Sequence, residues 1–151
     1  MPELNIRTKQ FIYRNSLKWQ GQKRGLLSCL TKPDIEISTP PEFKGNPGTW
    51  TPEDLFVASI NTCIMTTFLH HADKQRINFF SYTSDAEGVL ERLGDKFMFS
   101  KIIVRPEILV NSNDECEKVK SLIEFSKQRC LISNSIKSEV ILEVKVRLRD
   151  A

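Results

Sequence analysis

Glycine occurs only 6 times and proline 7 times in 151 residues, which excludes collagen-like and low-complexity chains. Charge of one sign is also scarce: 22 Lys and Arg stand against 19 Asp and Glu, a net charge of +3 spread along the chain. Without a concentrated basic face, no nucleic-acid partner is expected. No apolar run follows a basic start at Met1-Pro2-Glu3-Leu4-Asn5, so no secretory signal is expected. The longest apolar-leaning stretch, Leu55 to Leu69, is broken by Ser59, Asn61, Thr62, Thr66 and Thr67. It reads as too short to span a bilayer, so no membrane partner and a cytoplasmic location are expected. No C-x-x-C occurs among Cys29, Cys63, Cys116 and Cys130, so the usual zinc spacings are missing. In a reducing cytoplasm these cysteines are poor candidates for structural disulfides, which leaves thiol chemistry or plain burial.

What is present is enough for a core. Hydrophobic residues make up 40% of the chain and phenylalanine occurs 9 times, which argues against disorder and for one domain, or two tightly merged halves, over residues 1–151. Alternation from Phe11 to Trp19 predicts a strand, Gly21 to Gly25 a turn, and Leu26 to Leu30 the returning strand of a hairpin. Prolines and glycines mark Thr31 to Pro52 as loop-rich. Thr51-Pro52-Glu53-Asp54 then predicts a helix start, with Thr51 as cap, Pro52 at the first position and two acids against the positive helix end. That helix is expected to run to about Lys74, and it is apolar over most of its circumference, as a helix inside a protein is.

Two strands, Phe79 to Glu91 and Lys96 to Val104, are predicted around a Leu93-Gly94-Asp95 turn. Ser112 or Asn113 is expected to cap a second helix to Arg129, with the stripe Cys116, Val119, Ile123, Ser126 and Cys130. A final strand alternates Val140, Leu142, Val144, Val146 and Leu148 with Glu143, Lys145, Arg147 and Arg149. The order β-β-(β)-α-β-β-α-β indicates an α+β fold.

Cys63 lies within the first helix on a partly polar stripe with Ser59, Thr66, Thr67 and His70. It reads either as a reactive thiol or as a small buried hydrophobe, the commoner state of a free cysteine. Cys130 ends the second helix, and a disulfide between the two helices would need Cα atoms about 4.4–6.8 Å apart, which spacing alone does not decide. Cys29, in a strand, and Cys116, on a core stripe, read as structural. Adjacent His70 and His71 point about 100° apart on a helix and do not readily share an ion. Glu53 precedes Cys63 by ten residues, about 15 Å along one helix, so the two cannot touch within it. An acid there is also an ordinary first-turn residue, and Arg24 in the hairpin turn is also an ordinary solvated arginine.

Gly48 to Cys63, with Thr51-Pro52-Glu53-Asp54-Leu55 opening a helix and a cysteine ten residues after the glutamate, resembles the signature of the OsmC/Ohr family. Cys130 in Lys127-Gln128-Arg129-Cys130-Leu131-Ile132-Ser133 is similar to the family's second cysteine. Trp19-Gln20-Gly21 and Ser38-Thr39-Pro40 also fit, and the likeness extends over about residues 11–149. In one branch an arginine sits in the hairpin turn, which Arg24 matches. In another it precedes the Gly-rich turn, where Pro40 to Gly45 carries none.

The resemblance implies an intertwined homodimer, with antiparallel sheets around two long central helices and sites at the subunit interface. It implies a thiol peroxidase for organic hydroperoxides. Cys63 would be the peroxide-reacting thiolate and Cys130 the cysteine that closes a disulfide with it. Arg24 would favour the thiolate and Glu53 would hold that arginine. The reductant would be a small dithiol or a lipoyl protein, and neither a cofactor nor a metal is implied. Two other readings stand beside it. One is a non-enzymatic protein of the same fold that binds an apolar small molecule at the dimer interface. The other is a metal site built from Cys63, Cys130 and His70.

Overall fold

A computed structural model describes residues 9–150. The Met1–Asn5 start, on which the expectation about a secretory signal rests, lies outside them. The chain groups into two compact units, Met1–Pro52 and Glu53–Ala151.

In the first unit, β1 (Ser16–Trp19), β2 (Arg24–Ser28) and β3 (Ile35–Ser38) form an antiparallel sheet in that order. β1 is shorter than the Phe11–Trp19 alternation predicts. Phe11 and Tyr13 are 77% and 90% exposed, so the pattern has nothing in its own unit to bury against. β2 ends at Ser28, which leaves Cys29 just past the strand rather than in it. Its sulfur donates to the Arg14 carbonyl at 3.4 Å and accepts from Lys32 Nζ at 3.5 Å. The loop after β3 turns on Gly45, where a Cβ would meet the Thr39 carbonyl oxygen at 1.6 Å, so no other residue fits.

The second unit is built on α1 (Pro52–Gln75), β4 (Ser81–Leu93), β5 (Lys96–Val110), α2 (Asn113–Arg129), β6 (Glu139–Leu142) and β7 (Lys145–Leu148). α1 has 24 residues and is, by length and composition, apolar enough to cross a membrane, more than the interrupted Leu55–Leu69 run suggests. The core helix of a soluble protein meets the same test. Ile60, Ile64, Phe68 and Ala72 recur every fourth residue on α1 and are its buried stripe. They pack in one cluster with Ile102, Val104, Ile108 and Val110 of β5 and Val119, Leu122 and Ile123 of α2. The Phe68 ring lies edge-on to Phe79 at 5.2 Å and tilted against Tyr82 at 5.4 Å. Burying a side chain of this size contributes about 1.5–3 kcal/mol.

β4 and β5 form a long antiparallel pair, and β5 runs through Pro106 to Val110 rather than stopping at Val104. β6 and β7 both lie parallel to β5, so the sheet is mixed rather than wholly antiparallel. The single final strand expected from the sequence is divided at Glu143 and Val144. Proline explains the division. Val104 O accepts from Glu143 N at 2.9 Å, and two residues later Pro106 faces the same way with no N–H to donate. Arg105 spans the break on the outer face, pairing with Glu87 at 2.6 Å and Glu143 at 2.8 Å. At the start of α2, Ser112 is the N-cap residue but makes no side-chain cap bond. Instead the Glu115 carboxylate reaches back to the Asn111 N–H at 2.9 Å.

Candidate active site

Cys63 lies mid-way along α1, one residue before buried Ile64, and its half-buried side chain packs against the core. Cys130 is the C-cap of α2 and is 0% exposed. Lys127 and Arg129 occupy the last turn of α2, and beyond Cys130 the chain turns back through a short 3-10 turn at Ser133–Ser135. This turn brings the backbone of Leu131 and Ile132 against the Cys63 sulfur. Both cysteines are free thiols, and they hydrogen-bond to each other.

The surroundings divide the two thiols. Burial pushes the Cys63 thiol up, because a thiolate loses solvation there. Hydrogen bonds from the Ile132 backbone, the Cys130 thiol, Thr67 and the Leu131 backbone outweigh that cost and hold it below its ordinary value. Thr67 stands one turn on, its Oγ1 3.9 Å from the Cys63 sulfur. Cys130 moves the other way. Burial raises it first, and its neighbour Cys63 raises it further, against the lowering effect of Ser133. The Ser133 N–H approaches the Cys130 sulfur at 3.5 Å. The Ser133 hydroxyl oxygen is buried and meets no partner with full hydrogen-bond geometry, yet it lies close enough to the sulfur to favour its thiolate. One thiol of the pair is thus poised to ionise while the other keeps its proton.

The other residues singled out in the sequence are placed differently. Glu53 is in the first turn of α1, and its Oε2 is buried without a hydrogen-bond partner. Arg24 begins β2 in the first unit, where it pairs with Ser38 across the sheet and its side chain is exposed. His70 does not join the cysteines. Its ring lies edge-on to His71 at 5.1 Å. Among the described residues, no three His, Cys, Asp or Glu side chains gather to hold a metal ion. A cleft of about 500 Å³ is lined by Gln75, Ile77, Leu122 and Phe125, and neither Cys63 nor Cys130 borders it.

Sequence reasoning put Thr67 on the Cys63 stripe without giving it a role, and it missed Ser133. The available signal for Thr67 was its spacing of four from Cys63, which stacks side chains on one helix face. For Ser133 it was a hydroxyl residue just past a helix end.

A helix-borne cysteine facing a second cysteine at the end of another helix, beside a mixed sheet, defines a thiol-bearing α+β protein. The OsmC-like protein family matches residues 45–145, and the chain belongs to that family. YmaD of Bacillus subtilis (strain 168) is 25% identical over 117 residues, covering 75% of this chain and 77% of YmaD. The fold is similar to an OsmC-like protein of Vibrio cholerae (TM-score 0.81, 23% identity, 89% of this chain and 99% of that one). It is also similar to an organic hydroperoxide resistance protein of Legionella pneumophila (TM-score 0.71, 21% identity, 91% and 99%).

Proposed function

We propose that this protein is a cytoplasmic, cysteine-based peroxidase that reduces organic hydroperoxides. The observation that carries the reading is the pairing of Cys63, held toward thiolate, with a buried Cys130 that stays protonated. Peroxide reduction needs a thiolate nucleophile and, for recycling, a second thiol within reach. The Legionella relative named for organic hydroperoxide resistance supports the choice of substrate class.

The Cys63 thiolate attacks the terminal, hydroxyl-bearing oxygen of the hydroperoxide, the O–O bond breaks, and the alkoxide leaves and is protonated to the alcohol. The product is a Cys63 sulfenic acid. Cys130 then attacks that sulfur, its proton leaves with the hydroxyl group as water, and a Cys63–Cys130 disulfide forms. A small dithiol or a lipoyl protein returns both thiols. By the family resemblance, Arg24 is assigned as the cation that favours the thiolate and Glu53 as the carboxylate that orients it. The unpartnered Glu53 Oε2 is compatible with such a role.

The working unit in this reading is a homodimer of a single OsmC-like domain. Two observations favour it. Leu17 and Trp19 of β1 are 65% and 74% exposed. α1 is apolar around most of its surface but fully buries one stripe only. Light scattering tests the assembly.

The decisive experiment is oxidation of the reduced protein with one equivalent of cumene hydroperoxide, followed by mass mapping. A Cys63–Cys130 disulfide formed within seconds is the expected product. Slow, scattered oxidation of all four cysteines would overturn the proposal.

A further inference from the structure

Recycling requires a dithiol to break the disulfide, and the two sulfurs differ as targets. Cys130 is 0% exposed, enclosed by its own chain, while Cys63 is half-buried. Rates of thiol–disulfide exchange follow access to the attacked sulfur and the ability of the other sulfur to leave as a thiolate. Access selects Cys63 as the sulfur attacked and makes Cys130 the leaving group. A buried sulfur leaves poorly unless something stabilises its negative charge. The structure holds one such arrangement. The Ser133 N–H points at the Cys130 sulfur from 3.5 Å. The Ser133 hydroxyl is buried beside it and engages no other group.

We infer that Ser133 is the positioning residue for the reductive half of the cycle: its hydroxyl donates to the Cys130 sulfur as that sulfur leaves the disulfide. The inference rests on the peroxidase reading, which supplies the disulfide. One sulfur of a dithiol, as thiolate, bonds to Cys63 Sγ, the Cys63–Cys130 bond breaks, and its electron pair goes to Cys130 Sγ. The Ser133 hydroxyl hydrogen-bonds that thiolate until it takes a proton from solvent. The second sulfur of the dithiol, losing its own proton, then attacks its partner sulfur and releases Cys63 as a thiolate. The dithiol ends as a disulfide and the protein has gained two electrons.

Ser133 has no part in the attack on peroxide, so its effect should divide the two half-reactions. The test uses full-length protein whose Cys63–Cys130 disulfide has been formed with cumene hydroperoxide and, separately, with diamide. Reduction by dithiothreitol is followed by stopped-flow. Ser133→Ala is expected to slow it about tenfold, the scale of a lost hydrogen bond to a charged group. Ser133→Thr, which keeps the hydroxyl, restores the rate, a rescue that a packing role would not produce. Sulfenic acid formation at Cys63 keeps its rate in both variants. Equal reduction rates in Ser133→Ala and wild type overturn the inference, and so does a slow Ser133→Thr. Where Ser133→Ala does not fold, Ser133→Gly replaces it in the same comparison. If diamide closes the disulfide but peroxide does not, the peroxidase reading fails while the Ser133 comparison still stands on the diamide product. If neither reagent closes it, both fail.

Discussion

The buried Cys130 thiol donates a hydrogen bond to Cys63, so a single contact lowers the proton affinity of one sulfur and raises that of the other. The contact adds to the Ile132 backbone in favouring the Cys63 thiolate, and it adds to burial in keeping Cys130 protonated.

Replacing either sulfur should therefore have a different kinetic result. Cys63→Ser is expected to abolish consumption of organic hydroperoxide. Cys130→Ser should consume one equivalent and then stall, because the sulfenic acid has no partner. Peroxide consumption by dye assay, against enzyme concentration, distinguishes the two. Sustained turnover by Cys63→Ser would falsify the assignment of the nucleophile.

The thiolate of Cys63 should persist to lower pH than that of an ordinary cysteine, which titrates at about 8.5. Its reaction rate with iodoacetamide in the Cys130→Ala background should rise with pH through a higher midpoint than in wild type, since the Cys130 donor is gone. Thr67→Val should shift the midpoint in the same direction. Midpoints that move down, or coincide, contradict the hydrogen-bond account.

His71 has a different pH signature. Burial lowers its proton affinity first, and His70, Lys74 and Arg129 lower it further. Its ring lies edge-on to Phe125 at 4.9 Å, and the Arg129 guanidinium stands 5.1 Å over that same Phe125 ring. Because the folded value is depressed, the neutral ring contributes stability above the unfolded histidine value, about 6.5, and that contribution is lost as pH falls through the folded value. Melting temperature should drop more steeply below about pH 6.5 for wild type than for His71→Gln. Parallel curves would remove His71 from the acid response.

Gly88 is a packing constraint. A Cβ there would meet Val57 Cγ2 at 2.6 Å and Phe99 Cε1 at 2.9 Å, on a side of the sheet where Phe56 stacks on Phe99 at 4.9 Å. Gly88→Ala should cost about 1–3 kcal/mol, the range for overpacking a filled core. Urea unfolding measures it, and an unchanged midpoint would mean that Val57 and Phe99 yield freely.

By itself the sequence determined the elements whose signals are local. α1 was readable from Thr51-Pro52-Glu53 and its apolar run, α2 from its 3-4 spacing, and the long hairpin from Leu93-Gly94-Asp95. Those signals act between residues a few positions apart, and the Gly48–Cys63 segment was specific enough to point to the family. Only the tertiary structure decided the rest. Strand alternation cannot say which neighbour a strand meets, so the parallel seating of β6 and β7 on β5 and the break opposite Pro106 were not legible. The difference between the two cysteines was hidden for the same reason. It depends on Ile132, Leu131 and Cys130 reaching the Cys63 sulfur across the fold, and proton affinity is set by whatever stands within hydrogen-bonding distance, however remote in the chain.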